Sequence, residues 1–88
     1  MNKILNYLGI ARRAGFLISG TDAVIESLKG KAKLVILASD ASDATKDKIV
    51  RKCFFYHVSV IDCFTTEEMS DSVGQKNNKV LSITDDGI

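Results

Sequence analysis

The chain has 88 residues, with 12 basic and 11 acidic side chains, a formal net charge of +1, and 45% hydrophobic residues. This composition is typical of a globular protein, and the length allows one domain with one core, so residues 1–88 are expected to form a single domain. The longest aliphatic run, residues 34–38, is too short to cross a membrane, because a spanning helix needs about 20 apolar residues. Asn6, Arg12 and Arg13 interrupt any signal-peptide core, which predicts a mature cytoplasmic protein.

The first half of the chain alternates between predicted helices and strands. Apolar side chains at helical spacing predict a first helix over residues 2–14, and a short strand follows at 17–19. A second helix is expected to open after Gly20 and to end at Gly30. Residues 33–38 then form a continuous aliphatic run, as expected of a strand buried on both faces.

The second half continues the alternation. Ser42 is the predicted N-cap of a third helix over residues 43–56, and a strand follows at 58–63. A fourth helix is predicted to begin with a capping box and to end at Gly74, and residues 79–84 form the last strand. The capping box is formed by Thr65 and Glu68, and the inner stripe of the third helix is predicted to consist of Ile49, Val50, Cys53 and Phe54. A helix followed by repeated strand–helix units predicts an α/β fold with helices on both faces of a mixed or parallel sheet.

No pattern in the sequence indicates an active site. His57 is the single histidine, and no serine or cysteine motif provides it with a nucleophile. Cys53 and Cys63 do not form a C-x-x-C pair and are expected to be buried free thiols. No glycine-rich nucleotide-binding motif is present. We therefore predict a protein that is not an enzyme and has no catalytic residue, no metal and no cofactor.

The turn from the first strand to the second helix is the most informative segment. A glycine at position 20 lets another backbone approach closely, and the first N–H groups of the helix point outward with the positive end of its dipole. This geometry suits a phosphate or a base edge. The alternative is that Thr21 or Asp22 simply caps the helix. Basic residues are expected on either side of this helix: Arg12, Arg13, Lys29, Lys31 and Lys33.

Three segments, residues 8–15 (LGIARRAG), 19–21 (SGT) and 30–42 (GKAKLVILASDAS), together resemble the kink-turn-binding ribosomal protein family of the large ribosomal subunit. The likeness is strongest to a short, ribosome-associated bacterial branch and extends over essentially the whole chain. The resemblance implies a three-layer α/β/α sandwich with a four-stranded mixed β-sheet. It also implies binding to kink-turns, which are distorted internal loops with exposed base edges. An undistorted RNA major groove is too narrow for side chains to enter.

In this family the start of the second helix enters the RNA, and two loops hold an extruded nucleotide and nearby backbone. Residue chemistry and resemblance together predict these RNA-binding residues: Arg12, Arg13, Ser19, Gly20, Thr21, Asp22, Lys29, Ser42, Gly74, Gln75, Lys76 and Asn77.

Several positions depart from the pattern of strong kink-turn binders, among them Phe16, where a basic residue is common, and Ser42, where some members have glutamate. Asp22 stands where asparagine is common, Ala23 where glutamate is common, and Glu26 and Thr66 where lysines occur. The sequence nevertheless predicts a monomeric protein that binds structured, kink-turn-like RNA and associates with the ribosome. The alternative is a protein-interaction module that keeps the fold, has weak or no RNA affinity, and uses exposed apolar residues such as Phe16 and Phe55.

Overall fold

The computed structural model describes residues 3–74 and 79–84. The described elements alternate as the sequence predicts. The helices are α1 (Lys3–Ala14), α2 (Thr21–Ser27), α3 (Asp43–Tyr56) and α4 (Thr66–Val73), and the strands are β1 (Leu17–Ser19), β2 (Leu34–Ala38), β3 (Ser59–Phe64) and β4 (Val80–Ile83).

The four strands form one mixed sheet in the order β1-β4-β2-β3. β4 is antiparallel to both of its neighbours, and β2 and β3 are parallel. β1, β2 and β3 therefore all run in one direction and finish at the same end of the sheet. We call this the carboxyl end of the sheet; it comprises residues 19–22, 39–42, 64–66 and 79.

Helices cover both faces of the sheet, with α1 packed against α4 and α2 against α3. The predicted three-layer α/β/α sandwich is confirmed. Gly9 allows the close approach of α1 to α4, because a Cβ atom at this position would lie 2.8 Å from the carbonyl oxygen of Ser72. Residues 35–38 of β2 are buried, as predicted for a strand covered on both faces.

The local end signals of α3 and α4 are also confirmed. The Oγ of Ser42 accepts a hydrogen bond from the backbone N–H of Thr45, and Thr65 and Glu68 form the predicted capping box. Gly74 ends α4 in the left-handed conformation, with φ 70° and ψ 21°. Each of these interactions joins residues no more than four positions apart, which is why the sequence alone reveals them.

α2 is shorter than predicted and ends at Ser27 rather than at Gly30. Beyond Ser27 the backbone hydrogen bonds are of the 3₁₀ type and join residues three positions apart. The N–H of Lys29 donates to the carbonyl of Glu26 and the N–H of Gly30 to the carbonyl of Ser27, both at 3.3 Å. The glycine thus lies in the turn that follows the helix.

The inner face of α3 differs from the predicted stripe. Ile49 and Cys53 are buried, but Val50 is 44% exposed and Phe54 is 83% exposed. The half-buried Tyr56 shows that the helix presents positions 49, 53 and 56 to the sheet. Val50 and Phe54 each follow an inward residue and are turned away by about 100°, since an α-helix has 3.6 residues per turn.

A hydrogen bond between two buried serine hydroxyls joins the end of α2 to β4, a central strand of the sheet. The Oγ of Ser27 donates to the carbonyl oxygen of Val24 at 2.6 Å and lies 3.0 Å from the Oγ of Ser82 in β4. Because the single hydroxyl proton of Ser27 is used on Val24, Ser82 is the donor in the bond between the two serines.

Candidate nucleic-acid interface

Backbone hydrogen bonds bring several connections together at the carboxyl end of the sheet. The N–H of Gly20 donates to the carbonyl of Val80 at 3.3 Å, and the N–H of Ala38 donates to the carbonyl of Lys79 at 2.7 Å. The N–H of Ser39 donates to the carbonyl of Phe64, also at 2.7 Å. The turn into α2, the β2–α3 loop, the start of α4 and the residue before β4 are therefore neighbours in space.

Gly20 has a backbone conformation that only glycine adopts readily. Its φ is 99° and its ψ is 140°, and a Cβ atom there would have no neighbouring atom within 4 Å. The space beside the turn is therefore open. Gly20 is also the N-cap of α2, so no side chain accepts a hydrogen bond from the first turn of the helix. Helix starts of this kind present backbone donors to ligands.

The β2–α3 loop is fixed by Asp40, a residue that the sequence analysis did not select for the site. Its Oδ1 accepts hydrogen bonds from the backbone N–H of Thr66 at 2.9 Å and from the Thr66 hydroxyl at 2.7 Å. These bonds, with a smaller contribution from the charge of Lys79, lower the pKa of Asp40. An aspartate directly after a buried strand is a sequence signal for such a contact, but the sequence does not identify its partner.

Ser42, a predicted RNA-binding residue, is engaged within the protein. Its Oγ accepts from the backbone N–H of Thr45 at 3.2 Å and donates to the Thr45 hydroxyl at 3.0 Å. The side chain thus fixes the start of α3 at the carboxyl end of the sheet. Its neighbours Asp40 and Asp43 are exposed there.

The predicted basic residues form two groups, the arginines in the last turn of α1 and the lysines beyond the end of α2. Arg12 lies beside Gly74, where a Cβ atom would be 3.9 Å from Nη1 of the arginine, so Arg12 flanks the start of the α4–β4 loop. Arg13 is exposed, and its Nε donates to the carbonyl of Gly9 at 3.4 Å. Gln75, Lys76 and Asn77 lie outside the described residues.

The lysines around Gly30 do not lie near Gly20. The N–H of Lys33 donates to the carbonyl of Ile83 at the opposite end of the sheet, and Lys31 bonds to the carbonyl of Ser27 at the end of α2. Lys29 is paired with Glu26, with Nζ 3.3 Å from Oε2. The structure therefore groups Ser19, Gly20, Thr21, Asp22 and Ser42, and places Lys29 two residues beyond the opposite end of α2.

The carboxyl end of the sheet is not a simple basic surface. Asp22, Asp40 and Asp43 are exposed there together with Lys79. Carboxylates repel phosphates, but they accept hydrogen bonds from the N–H groups of nucleobases. The arrangement of backbone donors and carboxylates is suited to exposed base edges rather than to a regular RNA backbone.

Metal ligands, membrane-spanning helices and thiols are the other features considered among residues 3–74 and 79–84. No group of three or more His, Cys, Asp or Glu side chains in this part of the chain is placed to hold a metal ion. No helix among these residues is long and apolar enough to span a membrane. Cys53 is buried, which raises the pKa of its thiol, whereas Cys63 is exposed rather than buried as predicted, because it lies on the edge strand β3.

The fold and the grouped turns define a small α/β/α domain with a candidate ligand surface at one end of its mixed sheet. The family model described as the ribosomal protein L7Ae/L30e/S12e/Gadd45 family matches residues 2–87. The chain belongs to this family.

Two relatives are similar over most of their length. The chain is 40% identical over 86 residues to a protein of Enterococcus faecium named RNA-binding protein YlxQ, with 97% of this chain and 82% of the relative covered. It is 37% identical over 81 residues to a protein of the same name from Bacillus subtilis strain 168, with 91% and 81% covered.

Two solved structures share the fold. A protein of unknown function from Bacillus halodurans C superimposes with a TM-score of 0.94 at 33% identity, covering 99% of this chain and 89% of the other. A Giardia lamblia 15.5kD RNA binding protein superimposes with a TM-score of 0.84 at 20% identity, covering 96% and 72%. At that identity the second likeness supports the fold alone.

Proposed function

We propose that this protein is a non-enzymatic RNA-binding protein that recognises kink-turn-like RNA with the carboxyl end of its sheet. The observation that carries the proposal is the Gly20 turn, with its φ of 99°, open space beside it and no side-chain cap on α2. Membership of the family and the names of the two bacterial relatives support RNA as the ligand. Gly20, Thr21 and Asp22 contact the bases, and the β2–α3 loop and Lys79 border the site.

The same proposal includes the setting of the protein. It acts as a cytoplasmic monomer on ribosomal RNA or another structured RNA and associates with the ribosome. Co-sedimentation with ribosomal subunits from cell extracts, and the mass of the free protein in solution, test these two points. A protein that remains at the top of the gradient at low salt contradicts ribosome association.

The test of the site compares Gly20→Glu with Gly20→Ala in titrations against one kink-turn RNA and one unkinked duplex. Both substitutions impose the same backbone strain at a positive φ, but only glutamate adds bulk and negative charge. We expect Gly20→Glu to lose kink-turn binding and Gly20→Ala to retain more of it. Circular dichroism melts verify that both variants fold. Equal affinity of folded Gly20→Glu and wild type for the kink-turn would place the site elsewhere.

The salt dependence of binding gives a second measure. Three or four phosphate contacts predict a slope of about −3 in a plot of log affinity against log salt concentration. A slope near −8 would contradict a site with so few cations.

A further inference from the structure

Two adjacent phenylalanines on α3 expose most of their side chains. Phe54 is 83% exposed and Phe55 is 72% exposed, although both lie within a regular helix that continues to Tyr56. Their neighbour Cys53 is buried, so this turn of the helix is packed against the sheet. Scattered apolar residues are common on protein surfaces, but two large aromatic rings exposed side by side are unusual and indicate a binding surface.

Basic side chains lie on the two helical turns that precede these rings. Arg51 is three residues before Phe54 and four before Phe55, and Lys52 is three before Phe55, so all lie on one surface of the helix. The one acidic side chain on this surface, Asp47, accepts from the Nε of Arg51 at 3.1 Å. Lys48 and Lys52 have no acidic partner in the described part of the chain. We call these residues the aromatic–basic surface: Lys48, Arg51, Lys52, Phe54 and Phe55.

The aromatic–basic surface is separate from the candidate site at the carboxyl end of the sheet. Ser42 fixes the start of α3 at that end, and Phe54 is 11 residues beyond Asp43. At a rise of 1.5 Å per residue the two lie about 17 Å apart along the helix.

We propose that the aromatic–basic surface binds unpaired nucleotides, with bases stacked on Phe54 and Phe55 and phosphates beside Lys48, Arg51 and Lys52. The proposal depends on the proposed function only in taking RNA as the ligand. Single-stranded RNA supplies both flat apolar faces and regularly spaced negative charge, and proteins bind it with exposed aromatic rings in a basic surround.

Other occupants match this chemistry less well. In a dimer with a twofold axis, Lys48, Arg51 and Lys52 of one copy would face the same three residues of the other copy, and these like charges repel. An apolar protein surface would bury the rings but leave the lysines without partners. A ligand with flat apolar faces and negative charges can stack on the two phenylalanine rings and pair with the basic side chains at the same time.

The test uses a fluorescently labelled 12-nucleotide uridine strand and, separately, a kink-turn RNA without single-stranded extensions. We expect Phe54→Ala/Phe55→Ala to weaken binding of the uridine strand at least tenfold and to leave kink-turn affinity unchanged. Phe16→Ala is the matched control, because Phe16 is 42% exposed and precedes β1 at one edge of the sheet, whereas α3 packs on β2 and β3 at the other edge. Lys48→Gln/Lys52→Gln is expected to make the salt slope for the uridine strand shallower by about 1.4 units, because each phosphate contact of a single strand contributes about 0.7.

A conservative pair of variants separates stacking from simple apolar contact. Phe54→Leu/Phe55→Leu keeps an apolar surface but removes the aromatic faces, and is expected to lose uridine affinity like the alanine variant. Phe54→Trp/Phe55→Trp is expected to retain it. Equal binding by the leucine variant and wild type would overturn the stacking proposal. A concentration-dependent dimer that dissociates in the alanine variant would overturn it in favour of a second copy.

Gly20→Glu distinguishes failure of this inference from failure of the proposed function. It is expected to lose the kink-turn RNA and to keep the uridine strand. Wild-type protein that binds the kink-turn but not the uridine strand overturns only the present proposal. Wild-type protein that binds neither RNA overturns both.

Discussion

Asp40 and Thr66, 26 residues apart in the chain, are joined by two hydrogen bonds to a single carboxylate oxygen. Both bonds favour the ionised form of Asp40 and therefore lower its pKa below the ordinary value of 3.8. Because Asp40 lies in the β2–α3 loop and Thr66 begins α4, the pair holds two connections of the candidate RNA site in a fixed relation.

The first prediction concerns pH. A carboxyl group with a lowered folded-state pKa adds stability above its unfolded pKa and loses it as the pH falls through the folded value. We expect Asp40→Asn to lower the melting temperature at pH 7, and the difference from wild type to shrink as the pH falls below about 4. Asp62→Asn, which removes the same charge from an exposed position on β3, is the control. A constant difference between pH 7 and pH 3 would contradict this role for Asp40.

The second prediction concerns charge on α2. Glu26 is 75% exposed at its side chain and lies four residues beyond Asp22, on the same face of the helix. Glu26→Lys is expected to strengthen kink-turn binding by about 1 kcal/mol at modest salt and to add about one unit to the salt slope. Loss of the exposed ion pair with Lys29 should cost at most about 0.5 kcal/mol of stability.

Paired titrations of a kink-turn and an unkinked duplex measure the effect of Glu26→Lys. Asp62→Lys makes the same change of charge on the edge strand and is the control. An equal gain on both RNAs would show only non-specific attraction. No gain on either would mean that α2 does not face RNA, and would favour a protein-interaction role.

The third prediction concerns the contact between α1 and α4. A Cβ atom on Gly9 would lie 2.8 Å from the carbonyl oxygen of Ser72, whereas a Cβ atom on Gly30 would have no neighbour within 4 Å. We expect Gly9→Ala to destabilise the protein by about 1–3 kcal/mol, because the helices must move apart. Gly30→Ala should be close to neutral. Denaturant unfolding of the two variants measures the difference, and equal midpoints would show that α1 adjusts freely.

The fourth prediction concerns the buried serine pair. Ser27→Ala removes the acceptor of the Ser82 hydroxyl and is expected to cost about 1–3 kcal/mol of unfolding free energy. Ser82→Ala should cost less, because the Ser27 hydroxyl still donates to the carbonyl of Val24. The double variant should cost less than the sum of the single ones. A larger loss for Ser82→Ala than for Ser27→Ala would reverse the assigned donor and acceptor.

Features set by neighbouring residues could be predicted from the sequence. Ser42, Thr65 with Glu68, and Gly74 act on residues within four positions, so a one-dimensional pattern contains both partners. The alternation of helices and strands is equally local, because each element shows its own period.

Features set by the order of strands could not be predicted in this way. The bond between Asp40 and Thr66 exists because β2 and β3 finish side by side. The separation of Lys29 from Gly20 follows from the direction of α2 along the sheet. Phe54 was predicted to be buried because it follows the core residue Cys53. An apolar residue at such a position is consistent both with the buried face of a helix and with an exposed binding surface.

The position of β4 has a consequence for biosynthesis. Residues 80–83 separate β1 from β2 and provide the hydrogen-bonding partner of both. A nascent chain that emerges from its N-terminus onward therefore cannot close the sheet until this segment has been synthesised. Until then the inner edge of β2 has no partner, and such unpaired edges promote aggregation.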